Sequence, residues 1–153
     1  MATPVSKPAT IPATTPATTP ATTPASEPIT MPEGNPSLRT IAMPADANPD
    51  GDIFGGWIMS QMDISSGVCA AHVAKGRVVT VAVDAMTFHK PVYVGDDVSC
   101  YCAEAKRGNT SITVHVEAWV RRHHSDTVAK VTEGMFTFVA VDAHGKPKPL
   151  PSI

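Results

Sequence analysis

The stretch IFGGWIMSQMDISSGVCAAHVAKG, residues 53–76, followed at once by RVVTVAVDAMTFH, residues 77–89, decides the fold. The first part lacks proline and reads as one helix from about Ile53 to Lys75, with Asp52 in the N-cap position and Gly76 as its stop. It is apolar or small on nearly every side, and Asp63 is the only acid inside it, so it is expected to be buried all round. The second part switches the period from 3.6 to 2, is rich in Val and Thr, and is halted by Pro91.

Outward from this pair the pattern is regular. Ser37 to Met43 (SLRTIAM) is a short strand candidate, followed by a turn-rich stretch from Pro44 to Asp52. Beyond Pro91, Val98–Arg107, Thr110–Arg122 and Val128–Val141 are strand candidates, with Gly108-Asn109 as a tight hairpin turn. One strand, one long helix and four strands in antiparallel succession make an α+β chain. A sheet of this kind must wrap around the single helix, which is the hotdog architecture. One sheet leaves a helix face bare, so dimerisation is expected.

Residues 1–36 differ in kind. A proline stands at every fourth position from Pro4 to Pro36, and the unit PATT repeats from Pro12, Pro16 and Pro20. Such prolines remove amide donors and block helix, while Ala and Thr offer little area to bury, so a disordered or polyproline-like tail is expected ahead of a domain over 37–153. A net charge of -2 gives no reason to expect nucleic acid, and no run approaches the ~18 apolar residues of a membrane span. The first residues lack the apolar run of a signal peptide, and no Arg precedes Arg39. Three cysteines fit a reducing compartment better than a disulfide framework, so a cytoplasmic enzyme or binding protein is expected.

Two acidic features stand out. Asp46-Ala47-Asn48-Pro49-Asp50-Gly51-Asp52 begins like an EF-hand loop, but Pro49 interrupts it and Trp57 falls where a bidentate Glu is required. Asp63 lies in a stripe of small residues, Ser60, Ser66, Gly67 and Ala70. A buried carboxylate needs either partners, such as Ser66 or a second subunit, or a function as a general base. Gly55 and Gly56 sit in the first helical turn, where two glycines cost about 1 kcal/mol each relative to Ala. Tight packing would explain them, and so would an oxyanion hole, because bare amides at a helix N-terminus can approach a carbonyl oxygen. Gly55 and Asp63 are eight residues apart, roughly 12 Å along a helix. If both serve one substrate, they come from different protomers. Arg77, Lys90, Lys106, Arg107, Arg121 and Arg122 form a rim, either simply solvated or able to meet phosphates. No His pairs with Cys or carboxylate at metal-ligand spacing, and Cys100-x-Cys102 lacks the second pair that a zinc site needs.

LRTIAMPADANPDGDIFGGWIMSQMD (residues 38–63), GRVVTVAVDAMTF (76–88), PVYVGDDV, RGNTSITVHVEAWV and FTFVAVDAHGKPKPLP together resemble the bacterial YciA-type acyl-CoA thioesterases of the hotdog superfamily. The resemblance covers residues 37–151 and leaves the repeat outside. It implies hydrolysis of acyl-CoA to CoA and free acid without metal or cofactor. It implies Asp63 as base or nucleophile, Asn48 as a positioning residue for water or substrate, and Gly55 and Gly56 at the helix start. It places CoA contacts at Val81, Ala82, Val83, Thr110, Ser111 and Ile112, to which the rim cations Arg77 and Arg107 add phosphate partners. It also implies a homodimer, often assembled as a trimer of dimers. The alternatives are a non-catalytic acyl-CoA binding module, against which the intact Asn48, Gly55, Gly56 and Asp63 set speaks, and a hotdog dehydratase, which would want a His near the helix start.

Overall fold

The computed structural model describes residues 28–152. The PATT repeat and everything up to residue 27 lie outside the described residues. Residues 28–36, counted with the tail in the sequence, are described: Met31, Pro32 and Pro36 are half-buried, and the Ser37 amide bonds to the Cys100 carbonyl at 2.8 Å.

Five strands and one helix follow: β1 (Leu38–Ile41), α1 (Gly55–Ala74), β2 (Val78–Phe88), β3 (Asp97–Arg107), β4 (Ser111–Arg121) and β5 (Val128–Ala140), with one 3₁₀ turn at Pro44–Asp46. The sheet is antiparallel throughout, in the order β1-β3-β4-β5-β2. The sequence reading placed β2 beside β3, but β2 pairs with β5 at the far edge. Residues 89–96 make the crossing and run past the helix start, where the Ile53 amide bonds to the Val92 carbonyl and Gly95 to Ala42. Asp96, 2% exposed, anchors this crossing segment: its carboxylate accepts from the Tyr93 amide and Arg122 Nη1, and the Arg122 guanidinium stacks on the Tyr93 ring.

The alternation in β4 sorts the two sheet faces. Ile112, Val114, Val116 and Ala118 are buried against the helix side, while Thr113, His115 and Glu117 face the other way. Met62 and Phe136 are among the largest buried side chains, and each full burial contributes about 1.5–3 kcal/mol. The helix is not buried all round: Met59, Ile64 and Val68 are exposed. The start of the helix departs from the sequence expectation, while its end falls within one residue of it. Phe54 occupies the N-cap position without any side-chain cap bond, so Asp52 does not cap α1. At the other end Lys75 takes the left-handed conformation (φ 48°) and Gly76 follows it, its amide bonding to the Ala71 carbonyl. Among the described residues no helix is long and apolar enough to cross a membrane.

Two thiols line the seam between α1 and β3. Burial pushes the Cys100 thiol up to about 12 and the Cys102 thiol up to about 11, although Ser65 opposes the shift in both. The folded chain therefore keeps protons that the unfolded chain releases above the ordinary value of 9.0. Their contribution is complete below pH 9 and declines as pH rises towards the folded values. Urea midpoints measured at pH 8 and pH 10.5 should fall less steeply in Cys100→Ala than in wild type; parallel slopes would refute this cause.

Candidate active site

The polar run before α1 folds around Asn48. Its Oδ1 accepts the Asp50 and Asp52 amides, both at 3.0 Å, and its own amide donates to the Asp52 carbonyl at 2.6 Å. Asp46 Oδ2 accepts the Met43 amide, so this carboxylate is spent on a local turn. The Phe54 amide bonds to the Asp46 carbonyl, which delivers the chain into α1.

Because α1 has no capping side chain, its first amides stay open. The Trp57 and Ile58 amides both find the Phe54 carbonyl, while the Gly55 and Gly56 amides have no acceptor among the described residues. A Cβ at Gly55 would meet the Phe88 ring at 3.4 Å, whereas a Cβ at Gly56 would meet nothing within 4 Å. Packing within the chain therefore accounts in part for Gly55 and not at all for Gly56. A groove of about 340 Å³ opens here, lined by Gly55, Phe88, His89, Lys90 and Pro91 among others.

Asp63 lies two turns on. It is half-buried rather than enclosed, and its Oδ1 accepts the Thr80 hydroxyl at 2.8 Å. Ser66, the partner considered from sequence, instead donates to the Met62 and Asp63 carbonyls of its own helix. Asp63, Thr80 and Arg77 border a second groove of about 440 Å³ with Ile64, Val68 and Phe138. Within one chain Gly55 and the carboxylate thus line separate grooves.

The remaining candidates divide. Val81 and Val83 are exposed on edge strand β2 with Ala82 half-buried between them, and Thr110 and Ser111 are half-buried at the β3–β4 hairpin. Ile112 is 1% exposed and belongs to the core, so its side chain meets no ligand. Arg107 is held by both oxygens of Glu104, at 2.8 and 2.7 Å. Arg77 makes no ion pair among the described residues. Thr80 and Phe88 were not singled out from sequence, and Lys90 was singled out only as a rim cation. Thr80 sits in an ordinary Val/Thr strand, and only its distance to Asp63 marks it.

Residues 50–125 match the family model described as Thioesterase superfamily. The chain is 55% identical over 123 residues to the acyl-CoA thioester hydrolase YciA of Salmonella typhimurium, covering 78% of this chain and 92% of that one. The structure resembles the hexameric thioesterase of Yersinia pestis (TM-score 0.76, 55% identity, 80% of this chain and 100% of that chain). It also resembles an acyl-CoA hydrolase of Staphylococcus aureus solved with butyryl coenzyme A and coenzyme A (TM-score 0.69, 29% identity, 75% of this chain and 70% of that chain). Solved forms of the latter enzyme include alanine replacements of an Asn, an Asp and a Thr, fifteen and then seventeen residues apart. With more than half of its aligned residues identical to a hydrolase that it spans almost completely, this chain belongs to the YciA-type acyl-CoA thioester hydrolases of the thioesterase superfamily.

Proposed function

We propose that this protein hydrolyses acyl-CoA thioesters at a site built from two copies of the chain. The Gly55 and Gly56 amides of one protomer hold the thioester carbonyl oxygen, and Asp63 of the partner subunit drives attack on the carbonyl carbon. The observation that carries this reading is the pair of unpaired amides at an uncapped helix start, separated from a Thr80-held carboxylate on the same helix. As the carbonyl is attacked, its oxygen gains negative charge, which the amides and the positive end of the α1 dipole stabilise. Asp63 either takes a proton from water or attacks directly to form an anhydride. In the first route the carbon–oxygen bond to water forms, the carbon–sulfur bond breaks, and Asp63 returns the proton to the departing sulfur. In the second the Asp63 oxygen bonds to the acyl carbon as CoA leaves as the thiolate, and water then hydrolyses the anhydride, which restores Asp63 and supplies the thiol proton.

Asn48, Asp63 and Thr80 are spaced fifteen and seventeen residues apart, the spacing of the three replaced residues in the Staphylococcus aureus hydrolase. In this reading Asn48 shapes the loop that delivers Gly55, and Thr80 positions the Asp63 carboxylate. Arg77, beside Asp63 and without an ion pair among the described residues, is the cation placed to meet a CoA phosphate. Val81 to Val83, with Thr110 and Ser111, form the adjacent wall, and no metal or other cofactor takes part. Edge strand β2 is eleven residues long and carries exposed Val81 and Val83, while α1 bares Ile64 and Val68. Pairing of two such edges removes both liabilities and sets the two helices side by side in a homodimer; trimers of that dimer would match the hexameric relative. The catalytic domain starts near Ser37, and the repeat segment before it takes no part in the chemistry.

The test is thiol release by the full-length protein from acyl-CoAs of graded chain length. Release of CoA from at least one of them is expected, and none from any length would overturn the reading. Single turnover in heavy-oxygen water then separates the two routes, since label in the Asp63 carboxylate requires the anhydride.

A further inference from the structure

On the sheet face away from α1, residues from three chain segments converge. Glu117 of β4 and Glu133 of β5 are directly opposite one another in the ladder. Like charges in that position repel unless a cation lies between them. Lys130 supplies one, with Nζ 2.9 Å from Glu133 and 3.4 Å from Glu117. Two carboxylates and one ammonium still leave one uncompensated negative charge when the neighbouring imidazoles are neutral. Those imidazoles are His115, two residues before Glu117 on the same face, and His89, just past the end of β2; Nε2 of each lies 3.4 Å from Glu133. The Trp119 indole donates to Glu117 Oε2 at 2.8 Å and so fixes that carboxylate while leaving its other oxygen towards Lys130.

We propose that His115, Glu117 and Glu133 form a binding site for a zinc-class divalent cation, separate from the thioester site. Donor atoms of His115, Glu117 and Glu133 all lie within 4.8 Å of one another. Two ligand atoms each bound about 2.0–2.2 Å from a tetrahedral ion are themselves roughly 3.3–3.6 Å apart, which is the 3.4 Å separation of Glu133 Oε2 from the His115 imidazole. Imidazole and carboxylate donors together suit zinc and its neighbours better than calcium or magnesium. Lys130 is the competitor. Its pairs with Glu117 and Glu133 are partly exposed, the class of ion pair that contributes little, and its four-carbon stem can swing into solvent. Access is open as well, since His115 and Glu117 line a groove with Pro32, Glu33 and Tyr101. A bound ion would tie β4 to β5.

The sequence hides this site because each ligand segment looks ordinary alone. His115 and Glu117 are alternate residues of a strand, and only strand pairing brings Glu133 opposite them.

The test is competition by the full-length protein, in zinc chloride alone, against a chromophoric chelator. Wild type should take one ion per chain, and His115→Gln or Glu133→Gln should bind at least about tenfold more weakly. His123→Gln/His124→Gln should match wild type, and Lys130→Met should bind more tightly because the competing ammonium is gone. Cobalt in place of zinc should give visible bands of nitrogen and oxygen coordination without thiolate charge transfer. Failure of wild type to compete, equal affinity in wild type and both single variants, or a thiolate band would each overturn the proposal. Both single variants alter partly exposed side chains, and far-ultraviolet circular dichroism checks that the sheet is intact.

Discussion

Asp63→Asn is expected to lower kcat for acyl-CoA hydrolysis by about 10²–10⁴-fold, the range set by loss of a general base, with no comparable loss of thermal stability. Asn has the same shape, and its side-chain oxygen can still accept the Thr80 hydroxyl that now bonds to Asp63 at 2.8 Å. The half-exposed carboxylate holds no other element of the fold, so stability has little to lose. Thr80→Val should show the intermediate effect expected of a positioning residue. Losing one hydrogen bond to a charged group costs about 1.5–3 kcal/mol, or roughly 10–100-fold in rate. That loss should fall on kcat more than on KM, because Thr80 aims the carboxylate rather than holding substrate. Asp52→Asn should stay close to wild type, since Asp52 engages Asn48 through its main chain and caps nothing. An active Asp63→Asn beside a dead Asp52→Asn would move the catalytic role to the loop.

These acids also show where the sequence was legible and where it was not. Asp63 could be read because it is the single charge in a long uncharged helix, a contrast visible in one dimension. The strands were equally legible, since period-2 alternation is local and four of the five extend over eleven or more residues. Strand order was not, because residues 89–96 look like a short connection between neighbours and in fact cross to the opposite edge. Asp52 has the residue type that caps helices, but the loop closes on Asn48 and the helix starts two residues late, at an uncapped Phe54. That absence of a cap belongs to the proposed site, and residue preferences point away from it. Full burial of α1 was read from its composition. Its exposed Ile64 and Val68 show that one chain satisfies only part of that pattern; the proposed dimer would cover the rest.

A mixture of two inactive variants should recover activity if the second copy also completes the chemistry. Gly56→Val places a side chain where the carbonyl oxygen must approach, and its own chain tolerates the change because a Cβ there has no neighbour within 4 Å. Asp63→Asn removes the carboxylate at the other end of the span. Each variant alone has only defective sites. In co-expressed chains assembled at random, about half of the sites draw intact glycines from an Asp63→Asn chain, and about half of those draw an intact carboxylate from a Gly56→Val chain, so about a quarter of wild-type activity should return. The fraction is the same in a dimer and in a trimer of dimers, since it depends only on which two chains meet at a site. Light scattering must show that both variants keep the wild-type assembly, because a Val that blocked association would abolish recovery for another reason. With assembly intact, an inactive mixture would mean that Gly56 and Asp63 serve their substrate from one chain. The roughly 12 Å between Gly55 and Asp63 argues against that outcome, because a single thioester carbonyl cannot touch two points so far apart along one helix.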